Sequence, residues 1–356
     1  MLAPPDQMRA GPPRAGVARR AVLRAVLRGA GAAALALAAP AVARAETPTD
    51  AGPIRLPGPW GETRLARPAR RVVSLGYTSQ DGLLALGVVP VGLRHWFGDH
   101  PYGVWPWAQP LLGEARPVLM RGEVSIETVA GLAPDLIVAA GSGIGRAEHD
   151  LLTRVAPVLM QAPGRPVFGS PWPEDLRRLG LALGRAARAE ALIAQVEDAF
   201  AALRARRPDW RGRSAVAAWR NGGETGAFMP ADSRARFLAD LGFRAPEALS
   251  RLPAPGGFYA TLSPEDLSPL DADVLVWISS FDRAPDLAAL PMRRTLVAHR
   301  EGREVFAGPL VAGALSFGSV LSLPYALRAL EPEIAAALDG RPGTPVPSAV
   351  RAGLAP

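Results

Sequence analysis

Aromatic and arginine side chains gather where apolar runs end: Tyr77 with Thr78, Arg94-His95-Trp96, Ser142, Trp172, Trp219-Arg220-Asn221, and Ser279 with Phe281. Aromatic rings give contact area at low entropic cost, and a guanidinium bonds oxygens in forked fashion. Together they suit gripping a bulky, oxygen-bearing ligand rather than breaking a bond. The chain has no cysteine, which excludes thiol catalysis, disulfides, cysteine-held zinc and iron–sulfur clusters. Its four histidines are scattered, so no multi-histidine metal cage is expected. A Gly-x-Ser-x-Gly elbow, a Gly-x-Gly-x-x-Gly fingerprint and a phosphate-binding loop are all missing; Gly141-Ser142-Gly143-Ile144-Gly145 comes near but lacks the spacing. His299 lies in a charged His-Arg-Glu-Gly-Arg segment and reads as solvated. No catalytic residue is assigned, and a hydrolase is the weaker reading.

Each grip residue also has a plainer role open to it. Trp96, Trp105 and Trp107 can simply pack the long aromatic loop over 95–110 onto its lobe. Tyr77, His95 and His100 could instead ligate a metal carried by the cargo.

In open α/β sheets ligands sit beyond the carboxyl ends of the strands, so the elements before these turns decide where the residues stand. Short apolar runs alternate with helical patterns, the mark of βαβ units over mainly parallel sheets. The runs at 71–75, 88–93, 135–140 and 155–161 read as strands of a first half, with 166–169 completing it. Those at 214–219, 273–278 and 305–306 read as strands of a second half. Helices are expected over 80–86, ended by Gly87, and over 126–131, capped by Ser125. In the second half they are expected over 233–241 and 316–330. Between the halves the strand signals stop, and 187–206 keeps Ala191, Leu192, Val196, Ala199, Phe200 and Leu203 at helical spacing until Pro208. Twenty helical residues reach about 30 Å, enough to cross a domain.

One segment occurs twice. Ser125-Ile126-Glu127 leads through a loop ending in Asp135 to Leu136-Ile137-Val138. Likewise Ser263-Pro264-Glu265 leads through a loop ending in Asp273 to Val274-Leu275-Val276. Each copy predicts a capped short helix with a first-turn glutamate, then a buried strand, so the halves read as two related Rossmann-like α/β lobes. Either glutamate can be explained locally by the helix dipole; their equivalent placement points to a shared task.

Net charge is +7, yet residues 1–45 hold seven arginines against Asp6, a net of +6, which leaves +1 for the rest. A near-neutral body gives no electrostatic case for nucleic acid. Every basic residue is arginine, consistent with a GC-rich codon bias. Ala18-Arg19-Arg20-Ala21-Val22-Leu23-Arg24 carries the paired arginines of a twin-arginine export signal. An Ala-rich, mildly apolar run over 29–42 follows, and Ala43-Arg44-Ala45 offers small-x-small cleavage after Ala45. The expected plan is a signal at 1–45, a lobe at 46–172 with a loose lead-in to residue 70, and helical connection at 173–207. A second lobe at 208–340 and a poorly ordered Pro-rich tail at 341–356 complete it.

The run Arg71-Val72-Val73-Ser74-Leu75…Gly87-Val88-Val89-Pro90-Val91-Gly92, the two Glu-bearing segments, the helix over 190–203 and Ala314-Leu315-Ser316-Phe317-Gly318-Ser319-Val320-Leu321-Ser322-Leu323-Pro324-Tyr325 occur in a telling order. Together they resemble the periplasmic binding proteins of iron–siderophore, heme and vitamin B12 transporters, over about residues 70–330. The resemblance implies two lobes joined by one long helix, with the ligand between them and no enzymatic activity. It implies a monomer without a resident cofactor, whose cargo is a ferric siderophore with the iron already wrapped by its chelator. The cleft contacts would come from Tyr77, Thr78, Arg94, Trp96, Ser142, Trp172, Trp219, Arg220 and Phe281. It further implies that Glu127 and Glu265, one on each lobe, dock onto arginines of an inner-membrane ABC permease dimer. Heme or a corrinoid is the alternative cargo.

Overall fold

The computed structural model describes residues 53–221, 223–278 and 284–356. The export signal, its cleavage site and the Ser279–Phe281 turn lie outside the described residues. The chain divides into two units, Met1–Thr47 and Pro48–Pro356, and both lobes belong to the second.

Residues expected as a loose lead-in form a hairpin, β1 (Ile54–Gly58) with β2 (Gly61–Leu65). It is pinned because Leu56 and Leu65 are buried and Thr63 Oγ1 donates to Val158 O at 2.6 Å. The first lobe then runs β3 (Val72–Ser74), α1 (Ser79–Ala85), β4 (Gly92–Arg94), β5 (Val118–Met120), α2 (Ile126–Gly131), β6 (Leu136–Val138), α3 (Arg146–Leu152) and β7 (Val158–Leu159). Its five strands are all parallel, in the order β5-β4-β3-β6-β7. Such a sheet is covered on both faces, which is why its strands read as unbroken apolar runs.

Two helices follow, α4 (Trp172–Ala182) and α5 (Ala186–Arg206). Buried Ala189, Ile193, Val196, Phe200 and Leu203 make one stripe along α5, three or four residues apart. At its start Arg185 donates to Leu86 O and Arg188 to Ala85 O, behind α1 of the first lobe. At its end Arg204 donates to Asp240 O, and Arg206 pairs with Glu331 at 2.9 Å, in the second lobe. The helix therefore spans the two lobes.

The second lobe runs β8 (Ala215–Asn221), β9 (Glu224–Phe228), α6 (Ser233–Asp240), α7 (Glu247–Ser250), β10 (Tyr259–Leu262), β11 (Val274–Ile278) and α8 (Ala284–Ala288). It ends with α9 (Val297–Arg300), β12 (Glu304–Ala307), α10 (Pro309–Phe317), α11 (Ser322–Ala337) and α12 (Pro347–Arg351). Its order is β10-β9-β8-β11-β12, with β8, β11 and β12 parallel and β9 and β10 antiparallel.

The repeated aspartates do one job twice. Asp135 accepts from the Arg70 and Arg71 backbone N–H groups at the entry to β3. Asp273 accepts from Ser214 N at 2.7 Å and Ser214 Oγ at 2.8 Å at the entry to β8. In each lobe a loop carboxylate thus registers the central strand beside its own.

Four further expectations change. Ser263–Asp266 is a turn, not a helix: Ser263 Oγ accepts from Glu265 N, but residues 263–266 are exposed and Ser268–Leu270 forms a tight 3₁₀ turn. By contrast Ser125 caps a true helix, accepting from Thr128 N at 3.1 Å. The helix expected over 316–330 is two, because Gly318 at φ +53° ends α10 and α11 starts afresh at Ser322. The tail is docked rather than loose: Val346, Ala349 and Leu354 are buried, and Ser348 N donates to Glu333. His299 is largely buried, and its ring nitrogen lies 2.7 Å from Glu304, which Arg293 and Trp277 also reach.

Candidate functional site

The turn after β3 is forced tight by the sheet. Leu75 N and Gly76 N both donate to Val138 O on β6, and a side chain at Gly76 would begin 2.1 Å from Ala140 O. Only glycine permits that approach, and it throws Tyr77 and Thr78 forward, above the start of α1. Trp96, leaving β4, stacks on Tyr77 with centroids 5.6 Å apart, and Phe168 also stacks on Tyr77 at 6.3 Å. Phe317, at the end of α10 in the second lobe, meets Trp96 at 5.6 Å. An aromatic wall therefore crosses from one lobe to the other. Phe168 is 62% exposed and Trp96 38%, unusual for rings of that size unless something is meant to cover them.

Behind this wall a cavity of about 340 Å³ lies between the lobes. Tyr77, Thr78, Trp96 and Trp172 line it from the first lobe and the start of α4; Phe258 and Phe317 line it from the second. Most of the inner surface is apolar, with two polar clusters. In the first, Asp175 on α4 has its carboxyl pushed up to about 6 by burial. The Ser170 hydroxyl lies beside this carboxyl and partly offsets the rise, while one Asp175 oxygen and Arg178 Nε have no hydrogen-bond partner in the protein. Arg178 otherwise donates to Pro57 O and Met160 O. In the second, Asp232 caps α6 and pairs with Arg234 at 2.9 Å, while Arg234 also donates to Ser316 Oγ and lies 4.3 Å from the Phe228 ring centre.

At the inner end the lobes are joined by a buried carboxylate. Asp81 Oδ2 on α1 accepts from Trp107 Nε1 at 2.8 Å and from Ser319 Oγ at 2.5 Å, the latter from the α10–α11 turn. Its other oxygen is buried without a partner, and burial pushes the carboxyl up to about 6. Trp105 and Trp107 stack 5.0 Å apart and carry the aromatic loop onto the second lobe, Trp105 lying against Gly313 and Trp107 against Tyr325. These two pack the lobes together, and only Trp96 of the loop's tryptophans lines the cavity.

The remaining sequence candidates stand elsewhere. Arg94 lies 4.8 Å from the Tyr77 ring centre and donates to Gly122 O and Ser142 O, bracing the turn from outside the cavity. Ser142 is buried and donates to Ala139 O at 2.6 Å, closing the turn after β6. Trp219 lies flat over Gly226, with its edge toward Tyr259, and Arg220 is tied to Gly223 O and Thr225 Oγ1. Both belong to the β8–β9 hairpin. His95 turns to Gly98 O and His100 packs on Trp105, so neither lines the cavity. Among the described residues no group of three His, Asp or Glu side chains could hold a metal ion. Glu127 and Glu265 are exposed, one on each lobe, away from the cavity. Sequence reasoning overlooked Phe168, Phe317, Asp175, Arg178 and Arg234, which read as loop or helix-surface residues.

This architecture has counterparts. Residues 72–303 match the model of the periplasmic binding protein family. The chain belongs to that family. A periplasmic solute binding protein from Mycobacterium smegmatis is 34% identical, with a TM-score of 0.73 over 81% of this chain and 99% of that one. PiaA of Streptococcus pneumoniae, in complex with ferrichrome, is 24% identical with a TM-score of 0.67, over 80% and 99%. SirA of Staphylococcus aureus, complexed with staphyloferrin B, is 22% identical with a TM-score of 0.65, over 80% and 98%. At those identities the last two show the shared fold alone. Among curated protein sequences, none matches this chain significantly. No helix among the described residues is long and apolar enough to cross a membrane.

Proposed function

We propose that the protein captures a ferric siderophore in the cleft between its lobes and delivers it to an inner-membrane ABC importer. The observation that carries this is the aromatic wall Tyr77–Trp96–Phe168–Phe317, partly exposed, over a cavity of about 340 Å³. A concave, mainly apolar site with a few polar groups suits a chelate whose metal is already enclosed. Neighbours of the same fold hold such complexes, ferrichrome in PiaA and staphyloferrin B in SirA. On this reading Tyr77, Thr78, Trp96 and Trp172 touch the ligand, joined by Phe168 and Phe317. Glu127 and Glu265 register the loaded protein on two arginine sites of the permease, each contact modest and the pair fixing orientation. The chain is exported by its twin-arginine signal, is cleaved after Ala45 and acts as a monomer.

The test is tryptophan quenching of the mature chain against ferric siderophores, hemin and cobalamin. Quenching by at least one ferric siderophore with a Kd below about 1 µM, near −8 kcal/mol, is expected. A hemin Soret shift without siderophore quenching would move the cargo to heme, with Tyr77 as the iron ligand nearest the cavity.

A further inference from the structure

The ionisable groups of the cavity wall say which kind of ferric complex fits, given the reading of the cleft as a ferric-siderophore site. Apart from Tyr77, the described lining carries three arginines, Arg178, Arg234 and Arg236, and three aspartates, Asp175, Asp232 and Asp240. Each cation has an anion beside it. Arg234 is paired directly with Asp232, both largely buried. Arg178 and Asp175 feel one another one turn apart on α4, as do Arg236 and Asp240 on α6. The Arg234 donors are also mostly spent, on Asp232 and Ser316, and one Arg178 nitrogen is held by the Pro57 and Met160 carbonyls. No cationic surplus is left to meet a multiply charged anion.

The unpartnered polar atoms point the same way. They are one oxygen of Asp175 and a single Arg178 N–H, set in a mainly apolar and aromatic chamber. Buried polar atoms without partners call for an explanation, and a ligand that both donates and accepts hydrogen bonds provides one. A trianionic ferric tris-catecholate would have to shed its hydration next to a carboxylate, with no net positive charge in the lining to offset it. In a ferric tris-hydroxamate three single negative charges cancel the metal's three positive charges. Its amide backbone supplies N–H groups for the Asp175 oxygen and carbonyls for the Arg178 donor.

We infer that the cleft selects electrically neutral, amide-rich ferric complexes, and that Asp175 is a specificity-determining residue that turns away anionic ones. In quenching titrations at about 0.15 M salt, the mature chain should bind a neutral ferric tris-hydroxamate at least about 100-fold more tightly than a tris-catecholate of similar size. Asp175→Asn keeps an acceptor oxygen and removes the charge, and should narrow that ratio at least about tenfold. Asp232→Asn, which leaves Arg234 uncompensated and keeps the helix cap, should narrow it as well. Equal or tighter binding of the tris-catecholate by the unaltered chain would overturn the inference while leaving the siderophore reading intact. An unchanged ratio in both variants would also overturn it. Quenching by neither complex would remove the siderophore reading, and this inference with it.

Discussion

Replacing Asp81 by asparagine should flatten the pH dependence of stability. The Asp81 side chain is fully enclosed, accepts two hydrogen bonds through one oxygen and none through the other, and has its carboxyl raised from 3.8 to about 6. The fold therefore prefers the protonated acid. Its contribution is full below about pH 4 and is lost as pH rises through about 6. That gap amounts to about 3 kcal/mol at pH well above 6, of which about half, ~1.5 kcal/mol, is recovered between pH 7.5 and pH 5. For a chain this size, that is a rise in Tm of roughly 2–3 °C on acidification. Asparagine leaves one buried N–H pair facing a site without an acceptor, so the level of stability also changes; the slope is the informative quantity. The assay is thermal unfolding of parent and Asp81→Asn from pH 5 to 7.5. Asp175, also raised to about 6, titrates in the same window and cancels between the two proteins. Parallel slopes would refute the reasoning, because they would mean that Asp81 is ionised in the fold at no cost.

The other predictions concern docking, packing and a buried pair. Glu127→Ala combined with Glu265→Ala should leave siderophore affinity intact and abolish ligand-dependent stimulation of the permease ATPase in vesicles; lost affinity would move these residues to the cleft. Gly313→Ala would place a methyl 2.3 Å from the Trp105 ring. It should cost about 2–3 kcal/mol in denaturant unfolding and change the tryptophan emission, since the Trp105–Trp107 stack must shift. Arg293→Met leaves the buried Glu304, which holds Arg293 at 2.8 Å, with Trp277 and His299 as its remaining partners; a loss of about 3 kcal/mol is expected by the same measurement.

What the sequence made legible follows from local constraints. The Asp135 and Asp273 motifs were readable because a loop carboxylate, a strand entry and a buried apolar run must lie close together in the chain. The long helix was readable because one stripe repeats over about four turns before Pro208. By contrast β9 and β10 carry glycine and threonine at positions set by cross-strand packing. Gly226 is required by the Trp219 ring lying on it, a contact no local pattern encodes. The same hairpin explains the placement of Trp219 and Arg220. A strand ending at Trp219 would put both in the cleft turn, but β8 runs on to Asn221 and pairs with β9. Asp175 and Phe168 were hidden for a different reason: a first-turn acid and a loop aromatic have many harmless explanations, and only the opposite lobe makes a chamber of them.

Three separate ties hold the chamber's walls in register. Helix α5 is fastened by Arg185 and Arg188 to the end of α1 and by Arg204 and Arg206 to the second lobe. The Trp105–Trp107 stack crosses from the first lobe to Gly313 and Tyr325, and the Asp81–Ser319 bond closes the inner end. Walls set in advance reduce the ordering cost of binding, so affinity can come from a few aromatic faces and a balanced set of charges. The same ties limit how far one lobe can turn against the other. On the docking reading this keeps Glu127 and Glu265 at nearly the same separation with the cleft empty or filled. The permease would then have to distinguish the two states by a small rocking of the lobes or by the ligand itself, rather than by a large hinge closure.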